Sequence, residues 1–304
     1  MEHLTRHSLG SVHGFSVLSE SSFIYLRDGG GDPLTIREEG SEPSQLGDRL
    51  ADIKHRNALP TRVYRMDGRF SVHVGGMGWF GIDLGTSTIT VPPSPSSRAW
   101  LEGALWGLPV ALLVLSRGGL FFHASAVEID GRAVILTGPS HHGKTTLAAA
   151  LVAAGYRLLG EDLLRCTVGR PTVVFPGPAM LRLRKDVAQW LVVPGAERVA
   201  EDAEKVHLAL DRRTRGTSDP LPLAGIVLLH VGEASTLERL EPGATIRDLW
   251  AVASKIPTPQ GRAQCFQAIT ELAETVPVWT MVRPLTQAAL GDAIDMIVAA
   301  GRAA

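Results

Sequence analysis

The chain has 304 residues, 45% of them hydrophobic, and a formal net charge of −1. That size suits one large domain or a main domain with a smaller partner, and the apolar content excludes disorder along the whole chain. The near-neutral balance excludes a basic field that would draw in nucleic acid. Of the 30 Lys and Arg residues only five are Lys, at positions 54, 144, 185, 205 and 255. Cys166 and Cys265 lie far apart with no CxxC pair, which predicts a reduced, cytoplasmic protein.

The N-terminal stretch MEHLTRHSLGSVHGF has no apolar run behind its charges, so no signal peptide is expected. Residues 1–97 read as a β-rich module. FSVLS, SFIYLRD, RVYRM, RFSVHV and STITV are expected strands, punctuated by DGGGDP, DGR and GGMG. PPSPSS (92–97) is the expected seam, and a second domain is expected over 98–304. There, SRAWLEGALWGLPVALLVL predicts a buried helix with Ser97 as its cap and a kink at Pro109. Its uncharged run, 103–115, is too short to span a bilayer, so no membrane contact is expected.

GLFFHASAVEI and RAVILTG predict two strands joined at Asp130-Gly131, and GKTTLAAALVAAG a helix stopped by Gly155. YRLLGEDLL predicts a further strand whose apolar run ends in Glu161-Asp162. TVVFPG, GIVLLHV and VPVWTMV follow as strands, with helices at 244–255, 261–274 and 286–300. Strands alternating with helices predict an α/β core.

GPSHHGKTT (138–146) lies between a strand and a helix and fits the phosphate-binding pattern Gly-x4-Gly-Lys-Thr. Backbone N–H groups of such a loop ring a polyphosphate, and the helix N-terminus adds positive partial charge. The expected nucleotide contacts are Gly138, Ser140, His141, His142, Gly143, Lys144, Thr145 and Thr146. Lys144 would reach the outer phosphates of ATP, and the Thr145 hydroxyl would ligate Mg²⁺. His141 and His142 replace the usual small residues; adjacent histidines chelate one ion poorly, so they read as loop substitutions and not a metal site. Glu161 and Asp162 are expected at the carboxyl edge of the sheet, one acid on the metal and the other accepting a hydroxyl proton. His123 interrupts an apolar strand, which fits a core histidine and a site histidine equally. Arg182, Arg184, Lys185 and Lys205 are further basic residues; Lys205 and Arg182 are the candidates for neutralising transferring phosphate.

The run from His123 to Asp162 resembles the core of the HPr kinase/phosphorylase superfamily, related in fold to ATP-dependent phosphoenolpyruvate carboxykinase. His123, Lys144, Glu161 and Asp162 keep that family's spacing, with Lys144 21 positions after His123 and the acids 17 and 18 further on. The resemblance implies a P-loop kinase core in which His123 supports the acidic pair, Glu161 is the catalytic carboxylate, Lys144 is catalytic and Asp162 stands near Mg²⁺. The first acid is Glu where the family usually has Asp. The segment that engages HPr is not recognisable after residue 165, and the N-terminal module is not theirs. The chain is more similar to the superfamily's divergent kinases of peptide natural-product tailoring, such as lasso-peptide serine kinases. That implies ATP- and Mg²⁺-dependent transfer of the γ-phosphate to a serine of a peptide or protein. A small-molecule alcohol acceptor, or a nucleotide-binding regulatory module without catalysis, are the alternatives.

Overall fold

The computed structural model describes residues 8–54, 59–93 and 97–303. The first seven residues of the segment tested for a signal peptide, and 94–96 of the expected seam, lie outside the described residues. The chain is a mixed α/β protein with several sheets.

Strands β1 (Ser8–Val12), β2 (Phe15–Leu18), β3 (Asp32–Arg37), β4 (Asp48–Ile53), β5 (Thr61–Met66), β6 (Arg69–Val74), β7 (Gly78–Asp83) and β8 (Thr88–Thr90) form the first sheet. Their spatial order is β1-β2-β3-β8-β7-β6-β5-β4. Alternation builds it: along β6, Phe70, Val72 and Val74 are buried while Arg69 faces solvent. GWFGID, which begins at the last glycine of GGMG and is not among the expected strands, is strand β7, because its alternating Phe80 and Ile82 fill the same core.

SFIYLRD is not the strand its β-branched and aromatic residues predict. The backbone N–H groups of Ile24 and Tyr25 donate to the two carboxylate oxygens of Glu102, at 2.6 and 3.0 Å. Glu102 is fully buried and also accepts from the Trp106 indole at 3.1 Å. Burial pushes its carboxyl above the ordinary range, while these donors act in the opposite sense. Donors held by a side chain are not available to a ladder.

The expected single kinked helix is two helices, α1 (Arg98–Leu105) and α2 (Leu108–Ser116). Pro109 sits in the first turn of α2, where its missing N–H costs nothing, and so it starts a helix instead of bending one. Ser97 caps α1, its hydroxyl accepting from the Trp100 N–H. Together 98–116 are long and apolar enough to cross a membrane, yet Leu101, Leu105, Val110 and Leu113 are buried against the first sheet. The buried faces of α1 and α2 thus pack into the same core as the first sheet.

The second sheet is built on two long strands, β9 (Leu120–Ile129) and β17 (Leu221–Val231). Between their outer halves lies β10 (Arg132–Thr137), antiparallel to β9 and parallel to β17. Helix α3 (Lys144–Ala153) and strands β11 (Arg157–Gly160), β12 (Leu163–Thr167) and β13 (Val173–Phe175) follow β10. A three-stranded sheet comes next: β14 (Met180–Arg184), a short helix α4 (Lys185–Ala188), β15 (Ala196–Glu201) and β16 (Lys205–Leu210). After β17 come β18 (Thr236–Arg239), α5 (Pro242–Val252), β19 (Ala253–Ser254), α6 (Pro259–Thr275), β20 (Val278–Arg283) and α7 (Leu290–Ala303). One face of the second sheet reads β11-β9-β10-β17-β20-β18, with β10, β17 and β20 parallel. Parallel strands put their carboxyl ends on one edge, and the 138–143 loop leaves from there.

His13 sits in the β1–β2 turn, fully buried, its Nε2 3.2 Å from the Trp106 carbonyl and its Nδ1 without a partner among the described residues. Burial lowers its pKa to about 3. A histidine buried neutral binds fewer protons than in the unfolded chain, whose histidines titrate near 6.5. Its contribution to stability is therefore whole above pH 6.5 and is lost as pH falls towards 3, at up to about 1.4 kcal/mol per pH unit. Urea unfolding at stepped pH should show His13→Asn, which tolerates the left-handed turn, with a shallower acid slope than wild type; equal slopes would assign the acid sensitivity elsewhere.

Candidate active site

A cavity of about 500 Å³ opens at the carboxyl edge of β10 and β20. Its wall includes His123, Ser140, His141, Gly143, Lys144, Thr145, Thr146, Glu161, Asp162, Arg182 and Lys205. Residues from β9, the loop, α3, β14 and β16 thus meet in one place.

The loop is shaped by its glycines. Gly138 has φ +136°, and a Cβ there would stand 2.6 Å from the Leu229 carbonyl oxygen. Gly143 has φ +80°, and a Cβ there would overlap the Arg283 guanidinium. Lys144 begins α3 with its side chain folded back, Nζ donating to the carbonyls of Gly138 at 2.9 Å and Pro139 at 3.0 Å. It is largely buried, and burial lowers its pKa. The two histidines part company. His141 lines the cavity with a left-handed φ of +66°, whereas the Nδ1 of His142 meets the Leu229 carbonyl at 2.9 Å. His142, expected among the nucleotide contacts, therefore directs its ring at strand β17.

Successive strand residues point to opposite faces, so Glu161 and Asp162 would be separated in a straight strand. The chain turns a corner there instead. Asp162 has φ +76°, its carbonyl accepts from the Ala124 N–H at 3.0 Å, and the expected single strand 156–164 is split into β11 and β12. The corner brings both carboxylates to the same cavity.

Their partners differ from the expected arrangement, in which Thr145 and Asp162 share the metal. The Thr145 hydroxyl donates to Glu161 Oε1 at 2.9 Å. His123, opposite Leu163 in the β9–β12 ladder, places Nδ1 3.5 Å from Asp162 Oδ1. Glu161 is 4% exposed at its side chain and Asp162 32%, so Asp162 is the acid more open to an incoming group. Burial lowers the pKa of His123, keeping it neutral near pH 7.

Arg182, on β14, bridges the two acids: Nε to Glu161 Oε2 at 3.3 Å and Nη2 to Asp162 Oδ2 at 2.7 Å. Burial favours the neutral form of Asp162, but this guanidinium together with His123 and Lys205 outweighs it and holds the carboxyl below its ordinary pKa. Arg182 is thus committed to the acids and not free for phosphate. Lys205, at the start of β16, lines the same cavity and makes no ion pair among the described residues, while Arg184 and Lys185 pair with Asp186 and Glu201.

Thr145 and the two acids offer a hydroxyl and two carboxylates, the hard oxygen set that Mg²⁺ takes alongside phosphate oxygens. The residues present therefore fit a magnesium–nucleotide complex. Arg283 and Trp190 also line the cavity and escaped the sequence reading. The position of Arg283 at the end of an expected strand was the only signal for it.

No family model matches the chain, and no curated protein matches it. Among solved structures, that of the HPr(Ser) kinase/phosphatase from Coxiella burnetii is similar over 60% of this chain and 96% of its own, at 12% identity and a TM-score of 0.32. A likeness of that degree carries no argument, and the functional reading stands on the cavity's own geometry.

Proposed function

We propose that this chain is an ATP-dependent phosphotransferase that moves the γ-phosphate to a hydroxyl, a serine of a peptide or protein. The observation that carries the reading is the meeting, in one cavity, of the glycine-shaped loop ahead of α3 with two carboxylates that have separate partners, Thr145–Glu161 and His123–Asp162. A protein that only binds nucleotide needs one metal-side acid; a hydroxyl kinase needs a second to take the proton.

In this reading the loop's N–H groups and Lys144 hold the triphosphate, and Lys144 leaves the Gly138 and Pro139 carbonyls to do so. Mg²⁺, when bound, supplies neutralisation of phosphate charge, and Glu161 with Thr145 would hold it. Asp162 receives the hydroxyl proton of the acceptor, with neutral His123 fixing the carboxylate's orientation. Lys205 and Lys144 add positive charge where phosphate charge develops. The roles of the two acids are thus exchanged relative to those the resemblance implies, because the Thr145 hydroxyl selects Glu161. The setting we favour is peptide natural-product tailoring.

One observation favours a regulatory module instead: Arg182 neutralises both acids at once. Incubation with ATP and fractionated host peptides separates the readings. The kinase reading expects a peptide that gains one phosphate on a serine with wild type and not with Asp162→Asn. Nucleotide-dependent conformational change with no labelled acceptor would support the module.

A further inference from the structure

Arg283 closes β20, level with Val231 at the end of β17, and is 1% exposed. Its Nη1 donates to the Pro284 carbonyl at 3.1 Å and its Nη2 to the Gly143 carbonyl at 3.4 Å, while Nε has no partner among the described residues. No carboxylate pairs with it among the described residues. Burial alone depresses its pKa, with no acid to offset it. Two other arginines are compensated: half-buried Arg182 has two carboxylates and buried Arg27 four close carbonyls.

A buried guanidinium without counter-charge is costly, and proteins normally pair such a group. This one lies against Gly143, the residue from which α3 starts, where only a glycine leaves room for it. It also forms part of the cavity wall, beside Leu285 and Thr286. An anion on the cavity side of the loop would supply the counter-charge it lacks among the described residues.

We propose that Arg283 is the built-in counter-charge for a polyphosphate seated on the 138–146 loop, acting through Gly143 as a positioning residue that sets both the charge and the shape of the cradle. This rests on the loop being a phosphate site. It adds to that reading a third cation beside Lys144 and Lys205, far from both in the chain, and a consequence opposite to that of an ordinary structural arginine. Because its charge is uncompensated until ligand arrives, removing it relieves the empty protein and weakens the occupied one.

The experiment uses the full chain, with inorganic triphosphate and then Mg²⁺-ATP as probes, in calorimetric titrations and thermal melts. Arg283→Met should melt no lower than wild type without ligand, bind triphosphate roughly 30-fold or more weakly, and lose most of the ligand-induced rise in melting temperature. Arg283→Lys, which keeps the charge, should stay within a few-fold of wild type. A strut would behave otherwise: Arg283→Met melting far lower, or failing to fold, or binding triphosphate as tightly as wild type overturns the proposal. Equal losses in the Met and Lys variants do so too, since charge would then not be what matters. Should wild type itself bind no triphosphate, the phosphate-site reading fails first, a result distinct from all of these.

Discussion

Asp162→Asn is expected to slow phosphoryl transfer by roughly 10²–10⁴-fold, the range for a lost general base, while Mg²⁺-ATP still binds. Phosphoryl transfer depends mostly on positioning and electrostatics, so the loss belongs towards the lower end. The basis is geometric: Asp162 is the more open acid and the one beside His123, whereas Glu161 is covered and bonded to Thr145. Glu161→Gln should therefore show the complementary pattern, with nucleotide affinity that no longer responds to Mg²⁺. Single-turnover rates and magnesium-dependent titrations on the two variants decide between the assignments. If Glu161→Gln binds Mg²⁺-ATP normally but does not turn over, and Asp162→Asn loses magnesium-dependent affinity, the roles revert to those implied by the resemblance.

The largest expected effect on stability belongs to Arg27. Its guanidinium is buried and donates to the carbonyls of Leu158, Leu159, Gly177 and Gly216, at 2.7 to 3.0 Å. Burial depresses its pKa to about 9, above neutral pH, so it stays charged. Arg27→Met strands several buried carbonyls, each worth about 1–3 kcal/mol when unsatisfied, for a total loss of about 3–5 kcal/mol after partial relaxation. In a chain of this size that lowers the melting temperature by roughly 5–8 °C. Leu158 and Leu159 belong to the strand that delivers Glu161, so the N-terminal segment also braces the acids. A variant melting within a degree of wild type would show that water replaces the guanidinium at these carbonyls.

Much of the second sheet was legible because its signals are local. The Asp130-Gly131 turn, the Ala- and Leu-rich helix and the loop pattern each depend on a few adjacent residues, and β9, β10 and α3 lie where those residues put them. The loop and the acid pair were legible for the same reason, whereas His123 was drawn to the site only by the resemblance and His142 turned to β17 instead. The rest depended on distant partners. SFIYLRD has strand composition, but a carboxylate 77 residues away takes the Tyr25 N–H. The pairing of Thr145 with Glu161 turns on the left-handed backbone of Asp162, a residue type that tolerates it without announcing it. No neighbouring residue marks Arg283 as part of the loop's surroundings, since its contact with Gly143 spans 140 positions.

Everything proposed for this cavity depends on the 138–146 loop holding the triphosphate of a magnesium–nucleotide complex. Calorimetric titration of ATP into the full chain, with and without Mg²⁺, tests it against Lys144→Ala. Lys144 begins α3 and, among the described residues, its Nζ donates only to the loop's own carbonyls, so its removal should leave the fold intact. Saturable, magnesium-enhanced binding by wild type that Lys144→Ala loses is the predicted result. No saturable binding by wild type, or equal affinity in the two proteins, would contradict it.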